Sequence, residues 1–546
     1  MKRKFLQLCL ISGLLSLGSC AQGDIDDLQD QMDDLTEQVA EMEKAQQEAL
    51  LTQIAQLQTL ITGLQSENAE QAAEYEALLV NLQNLQAEIE ANAASVYYGD
   101  ATNADQYAAL AEQSGATIIT GNVIVNTAAE AEQLANIYFI GGDVVLNVAA
   151  SLNVSTISGS LEIQGFNEVD QAITLTNMTT VGGYLNIRNN EGLISFVADN
   201  LKYLGGLLVQ TNPEINNLSM TSLAMVTGDL KIDNYVESEM IGGESLGKLV
   251  NLDINGTNVG GKADILYIPA GGTNKVSIGS VWGNLYVKNC NVKTVEILGT
   301  EIGGEFEFQY NKRVEELLAP NLVSTGANLA YTFYDGISIK SNGESIFDES
   351  TGQNVNTGLK AINFDNLESV GAKFTLQSNK FELIEINTFN KVTEVVGDIN
   401  VAEANEFGWI NMFNGLVTHS SKITMQHLTA TEEVSVFNSL TSCDRQVSVE
   451  FITANVTAFT SMTYAYDLKF DIDQVTTTCE VLNVFEEVKG GWSFKLYANT
   501  TDKLCSMSTV FDLITAGTFV GNVSLYDNDV LATDNSAFIT AATAGC

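Results

Sequence analysis

From about residue 119 onward, apolar and polar side chains alternate over short runs, and the runs return at steps of mostly 21 to 26 residues. VGGYLNIRNN (181–190), YLGGLLVQTN (203–212), VTGDLKIDNY (226–235), VWGNLYVKNC (281–290) and IGGEFEFQYN (302–311) restate one ten-residue phrase. Its fifth and seventh positions are apolar, as in Leu161 and Ile163, Leu185 and Ile187, Leu230 and Ile232, or Phe306 and Phe308. Positions six and eight are mostly polar, for example Glu162, Gln164, Asn186, Arg188 and Lys231. A period of two marks a short strand with one face inward. Copies begin at 119, 140, 157, 181, 203, 226, 248, 281, 302, 325, 370, 395, 419, 443, 464, 490 and 519. The doubled step from 325 to 370 predicts one degenerate copy near 347, for about eighteen in all. Repeats of this length stack, each lap burying its face only against its neighbours, so the chain is expected to be mainly β, a parallel β-solenoid.

The tenth position is occupied by Asn190, Asn212, Asn311, Asn379, Asn499 and Asn528, and once by Cys290. After the strand the chain must turn inward, leaving backbone groups that need partners. A side-chain amide supplies a donor and an acceptor, so stacked copies predict a ladder. A thiol donates weakly, and Cys290 is read as a member of that ladder.

A different period governs the N-terminal part. Ile54, Ile61, Asn68, Tyr75, Leu82 and Ile89 recur every seven residues, interleaved with Leu57, Leu64, Gln71, Leu78 and Leu85. These are the a and d positions of a coiled coil, and the spacing predicts a long α-helical stalk over 28–92. Isoleucine at a with leucine at d favours a parallel homodimer, although sixteen acids and one lysine from Asp24 to Asn92 repel one another. A helix of 65 residues spans roughly 100 Å.

Before the stalk, Lys2, Arg3 and Lys4 precede an apolar run from Phe5 to Leu17, too short to span a bilayer, and the run ends in LGSC (17–20). This resembles the lipobox of bacterial lipoproteins, which implies a signal peptide at 1–19 and lipidation of Cys20. Residues 20–27 follow as an acidic tether (Asp24, Asp26, Asp27), similar to the stretch that routes some Gram-negative lipoproteins to the outer face of the outer membrane. The resemblance implies a membrane partner through the lipid and a cell-surface location.

In many copies apolar residues follow the tenth position, as Ile215 and Leu218 follow Asn212, and Val314 and Leu317 follow Asn311. The stretch NKRVEELLAPNLVSTGANLAY (311–331) resembles the receptor L-domain, a β-solenoid related to leucine-rich repeats. That resemblance covers about 119–400, with 93–118 as linker and N-terminal cap and 401–546 as divergent repeats and C-terminal cap. It implies an extracellular binding or adhesion surface for a glycan or protein. Helical segments at 105–112 and 128–134 are expected to cap the N-terminal end.

Charge narrows the partners. Without Lys2, Arg3 and Lys4, the 25 basic side chains fall to 22 against 68 acids. Such an excess repels nucleic acid and anionic membrane surfaces. Of the remaining cysteines, Cys443, Cys479, Cys505 and Cys546 cluster late, and an oxidising exterior would favour two bridges, for example Cys443–Cys479 and Cys505–Cys546; four cysteines allow three pairings.

Catalytic chemistry is not signalled. The two histidines, His419 and His427, lack carboxylate helpers at ligand spacing and are read as surface residues, so no metal and no cofactor is expected. There is no P-loop, G-x-S-x-G or zinc spacing. The outward positions Tyr286, Tyr497 and Tyr526 are candidate stacking residues for sugar or peptide. The expected function is therefore binding or adhesion without catalysis. A spacer without ligand, or a polysaccharide-active β-helix enzyme, stands as the alternative.

Overall fold

The computed structural model describes residues 95–113, 115–168, 170–233, 235, 248–269, 275–329, 334–348, 353–381, 385–403, 406–453, 455–475, 478–498, 504, 507–518, 521–527 and 530–544. Cys20, the expected stalk at 28–92, Asn499, Cys505, Asn528 and Cys546 lie outside the described residues. The chain divides into two units, Met1–Gly272 and Thr273–Cys546. Each is a parallel β-solenoid with three-sided laps.

In the first unit, side one consists of short rungs such as Ile118–Ile119, Phe139–Ile140, Thr156–Ile157 and Met225–Val226. Side two carries the fifth to eighth positions of the phrase: Val123–Val125, Val144–Leu146, Leu161–Gln164, Leu230–Asp233 and Ala263–Leu266. The strands Thr180–Arg188 and Tyr203–Gln210 run through both sides. Register stacks Val144 on Leu161, Leu161 on Leu185, Leu185 on Leu207 and Leu207 on Leu230, all buried. Burying one such side chain contributes roughly 1.5–3 kcal/mol, and every rung repeats it.

Side three is helical in the first laps, with Ala104–Glu112 capped by Asn103 and Ala128–Gln133 opened by a Thr127/Glu130 capping box. Tyr107 anchors the first helix, its hydroxyl donating to the Ile124 carbonyl at 3.0 Å. Thereafter side three is a parallel sheet of Gln171–Thr174, Leu193–Val197, Asn217–Ser219 and Asn251–Asp253. The phrase expected to start at 248 belongs to this side. The true copy is VGGKADIL (259–266), since Leu230–Asp233 pairs with Ala263–Leu266.

In the second unit, the strands that carry the fifth to eighth positions, its side two, include Leu285–Lys288, Phe306–Gln309, Asp335–Lys340, Lys373–Gln377 and Ile399–Ala402, and end with Trp492–Ala498 and Gly521–Asp527. No lap lies near 347. Ile337 pairs directly with Phe374, and the extra residues form an antiparallel hairpin, Glu344–Asp348 with Gln353–Thr357, inserted at a corner. The last laps are closed by the helices Ser508–Thr515 and Asn535–Ala542.

Between sides one and two, successive backbones nearly touch. A Cβ at Gly205 would meet the Gly182 carbonyl oxygen at 2.2 Å, and one at Gly303 the Trp282 carbonyl oxygen at 2.1 Å, which explains the glycines of the phrase. The fourth position then caps the next lap. Asn122 Oδ1 accepts from the Asp143 N–H (2.9 Å), Asp143 Oδ1 from Ser160 (2.9 Å), Asp229 Oδ1 from Lys262 (2.8 Å) and Asn284 Oδ1 from Glu305 (3.0 Å).

Candidate functional site

Inside the corner between sides two and three, the ninth residue adopts a left-handed backbone: Asn189, Thr211, Asn289, Tyr310, Ser341 and Ser378 have φ between 54° and 58°. Non-glycine residues reach this region only at a cost of roughly 1–2 kcal/mol each. The turn aims the tenth side chain inward, and its hydrogen bonds offset that cost.

In the first unit Asn190 Oδ1 accepts from the Phe166 N–H (3.2 Å), while its Nδ2 donates to the Ile163 carbonyl (3.0 Å) and to Asn212 Oδ1 (2.8 Å). Asn212 Nδ2 donates to the Ile187 carbonyl at 2.7 Å. In the second unit the run is Cys290, Asn311, Asn342, Asn379 and Glu403. Asn311 Oδ1 accepts from the Cys290 N–H at 2.8 Å, and the Cys290 thiol faces the Lys288 carbonyl at 3.4 Å. Asn342, which the double step had hidden, accepts from Asn311 N and Nδ2, both at 3.0 Å, and donates to the Phe308 carbonyl at 2.9 Å. Its sequence signal is ISIKSN (337–342), the strand half of the phrase detached from its glycines. Asn379 donates onward to Glu403. Glu403 is fully buried, and burial pushes its carboxyl up to about 8. Leu428, buried in the next lap, ends the series.

Two further ladders line side three of the second unit. Phe364, Phe389, Phe413, Phe437 and Phe459 stack at centroid separations of 5.1, 5.8, 5.2 and 5.1 Å. Beside them Asn414 Oδ1 accepts from Asn438 N (2.9 Å), and Asn390 Oδ1 from Asn414 N (3.3 Å). The phrase F-N at 389, 413 and 437 carries both in the sequence.

The cysteines that the structure describes are buried thiols. Cys443 and Cys479 do not bridge each other. Cys443 lies on side one, paired in register with His419 and Ala465, whereas Cys479 lies on side three opposite Val456. The Cys443 thiol faces the Ser421 carbonyl at 3.3 Å and that of Cys479 faces Met507 Sδ at 3.3 Å. His419 also departs from its surface reading. It is buried, and burial holds its imidazole below the usual range. His427 is exposed, with Nδ1 3.1 Å from Glu450 Oε1. Among the described residues no group of three His, Cys, Asp or Glu side chains is placed to hold a metal ion.

Outward on side two, the candidate tyrosines are already engaged. The Tyr286 hydroxyl donates to Glu305 Oε2 (2.7 Å) and accepts from Asn284 Nδ2 (2.7 Å), with Lys288 Nζ 4.5 Å from the ring centroid. Tyr497 and Tyr526 stack on each other at 3.9 Å, so each covers one face of its neighbour. Around Tyr286 the fabric continues between rungs and along them. Lys288 pairs with Glu307, Gln309 Nε2 donates to Ser338 Oγ (3.1 Å), Lys340 pairs with Asp335 (2.9 Å), and Thr375 Oγ1 donates to Asp335 Oδ1 (3.3 Å). Comparison with family models, curated proteins and solved structures gave no match.

Proposed function

We propose that this chain is a lipid-anchored protein of a bacterial cell surface that displays its solenoid for adhesion or ligand capture and catalyses no reaction. The observation that carries the reading is the outward face of side two in the second unit. Its polar side chains are fixed to one another across successive rungs, at Lys288–Glu307, Gln309–Ser338 and Thr375–Asp335, and within one rung at Lys340–Asp335. A surface held in this way loses little side-chain entropy when it meets a partner, which favours binding. The lipobox-like LGSC, the acidic residues behind it and the heptads over 28–92 supply an anchor, an export signal and a spacer, with parallel pairing of two copies through the heptads.

Two experiments test it. Arrays of glycans and of surface proteins, probed with the mature chain, should give saturable binding that outward substitutions on contiguous laps reduce. Protease shaving of intact cells should release solenoid fragments. Protection until lysis places the solenoid in the periplasm and removes the adhesion reading.

A further inference from the structure

We infer that the outward face of side two over the rungs Leu285–Lys288, Phe306–Gln309, Asp335–Lys340 and Lys373–Gln377 binds a neutral, hydroxyl-rich glycan chain, bordered by Trp282, Tyr310 and Tyr334. The inference deepens the binding reading above and rests on it. Four aromatic side chains of the second unit are exposed among the described residues: Trp282, Tyr310, Tyr334 and Tyr466. Three of them border these four rungs. Trp282 precedes the first, Tyr310 follows the second directly, and Tyr334 directly precedes the third. The cluster follows from local structure, since Tyr310 occupies the left-handed corner position after its strand and Tyr334 stands at the opposite end, directly before Asp335–Lys340.

Between the aromatics the outward layer carries hydrogen-bonding groups rather than apolar surface, with Gln309, Asp335, Lys340 and Gln377 partly exposed. Ser338 and Thr375, although on the outward alternation, are buried under the contacts from Gln309 and Asp335. Three coil spacings give the strip a width of roughly 14 Å. Aromatic rings stack on the C–H faces of sugar rings while amides and carboxylates take the sugar hydroxyls, and the strip offers both.

Charge selects a neutral chain. Lys288 and Lys340 are already matched by Glu307 and Asp335, and the protein's net charge of −43 repels polyanions. Strand topology disfavours an added peptide strand, because Phe306–Gln309 is paired in parallel on both edges, to Leu285–Lys288 and to Ile337–Lys340. Recognition here must run through side chains, and β-augmentation needs a free strand edge.

The test is native affinity electrophoresis of the full mature protein in gels containing glucan, mannan or xylan, with alginate as the anionic comparison. Retardation by at least one neutral polysaccharide is expected. Trp282→Ala and Tyr334→Ala should each weaken it at least tenfold, Tyr466→Ala should leave it unchanged, and all three should unfold at the wild-type temperature. Retardation by alginate alone, or retardation indifferent to Trp282, Tyr310 and Tyr334, overturns the inference. Should the arrays show saturable binding to a protein and none to neutral glycans, the inference falls and the binding reading stands. If nothing is bound, both fall.

Discussion

Glu403 receives both donors of Asn379, the backbone N–H at 2.9 Å on Oε2 and the side-chain Nδ2 at 2.7 Å on Oε1. One carboxyl thus does at the end of the ladder what the single Oδ1 of an asparagine does elsewhere in it. Its charge is poorly tolerated there, because burial outweighs the hydrogen bonds from Asn379 and the nearby Lys380.

The consequence is a pH-dependent stability with a defined sign. The folded carboxyl keeps its proton up to about 8, whereas an unfolded glutamate releases it near its ordinary 4.5. Stability from this group is fully present below the lower value and is lost as pH rises through the window, by at most about 1.4 kcal/mol per pH unit. Glu403→Asn places one acceptor and a donor in the same corner without a titrating group. Urea unfolding at pH 5 and pH 8 should show the variant gaining on the wild type as pH rises; parallel pH profiles would contradict this.

Asn342→Ala strands the Asn311 N–H and the Phe308 carbonyl in the core. Each buried group left unmade costs about 1–3 kcal/mol, so a loss of roughly 3 kcal/mol is expected from chemical denaturation. An effect below about 0.5 kcal/mol would mean that the ladder is not buried as described.

Phe437 is stacked between Phe413 and Phe459, and all three are fully buried. Phe437→Ala should cost about 3–5 kcal/mol and Phe437→Leu distinctly less, as read by thermal or urea unfolding. Equal losses for the two variants would argue against a packed stack.

Cys290, Cys443 and Cys479 should resist a thiol reagent in the native protein and react once it is unfolded without reductant. Burial pushes the Cys443 thiol up to about 11 and the Cys479 thiol up to about 12, so little thiolate is present at neutral pH. A Cys443–Cys479 cross-linked peptide in a non-reduced digest would refute the placement of the two residues on different sides.

The alternation at positions five and seven was legible because one face of every side-two strand is buried; Leu161/Ile163 and Phe306/Phe308 need no neighbouring lap to be recognised. The Asn/Cys position was legible for the same reason, being tied to the strand by fixed spacing. What the local pattern concealed depends on the three-dimensional lap. The phrase starting at 248 reads as a strand because Asn251–Asp253 is one, on another side, and only the pairing of Leu230 with Ala263 reveals the shift. The hairpin at 344–357 hides as a missing copy because the phrases at 325 and 370 lie 45 residues apart, about two laps. Trp282, Tyr310 and Tyr334 fall at corners, where no period-two signal exists, and only the stacking of laps places them around one strip. The side-three phenylalanines were missed although their spacing is regular, since at single-copy level each is merely one apolar residue among several.

Distances between spin labels along side two of the second unit test the stacked register most directly. Lys288, Gln309, Lys340, Gln377, Ala402 and Gln426 are successive register partners. Labels at Gln426 and at Lys340, Gln309 or Lys288 should therefore separate by roughly 14, 19 and 24 Å, about 4.8 Å per lap, plus the reach of the labels. Separations that do not grow lap by lap, despite the 31 and 21 residues between successive sites, would contradict the solenoid and everything built on it.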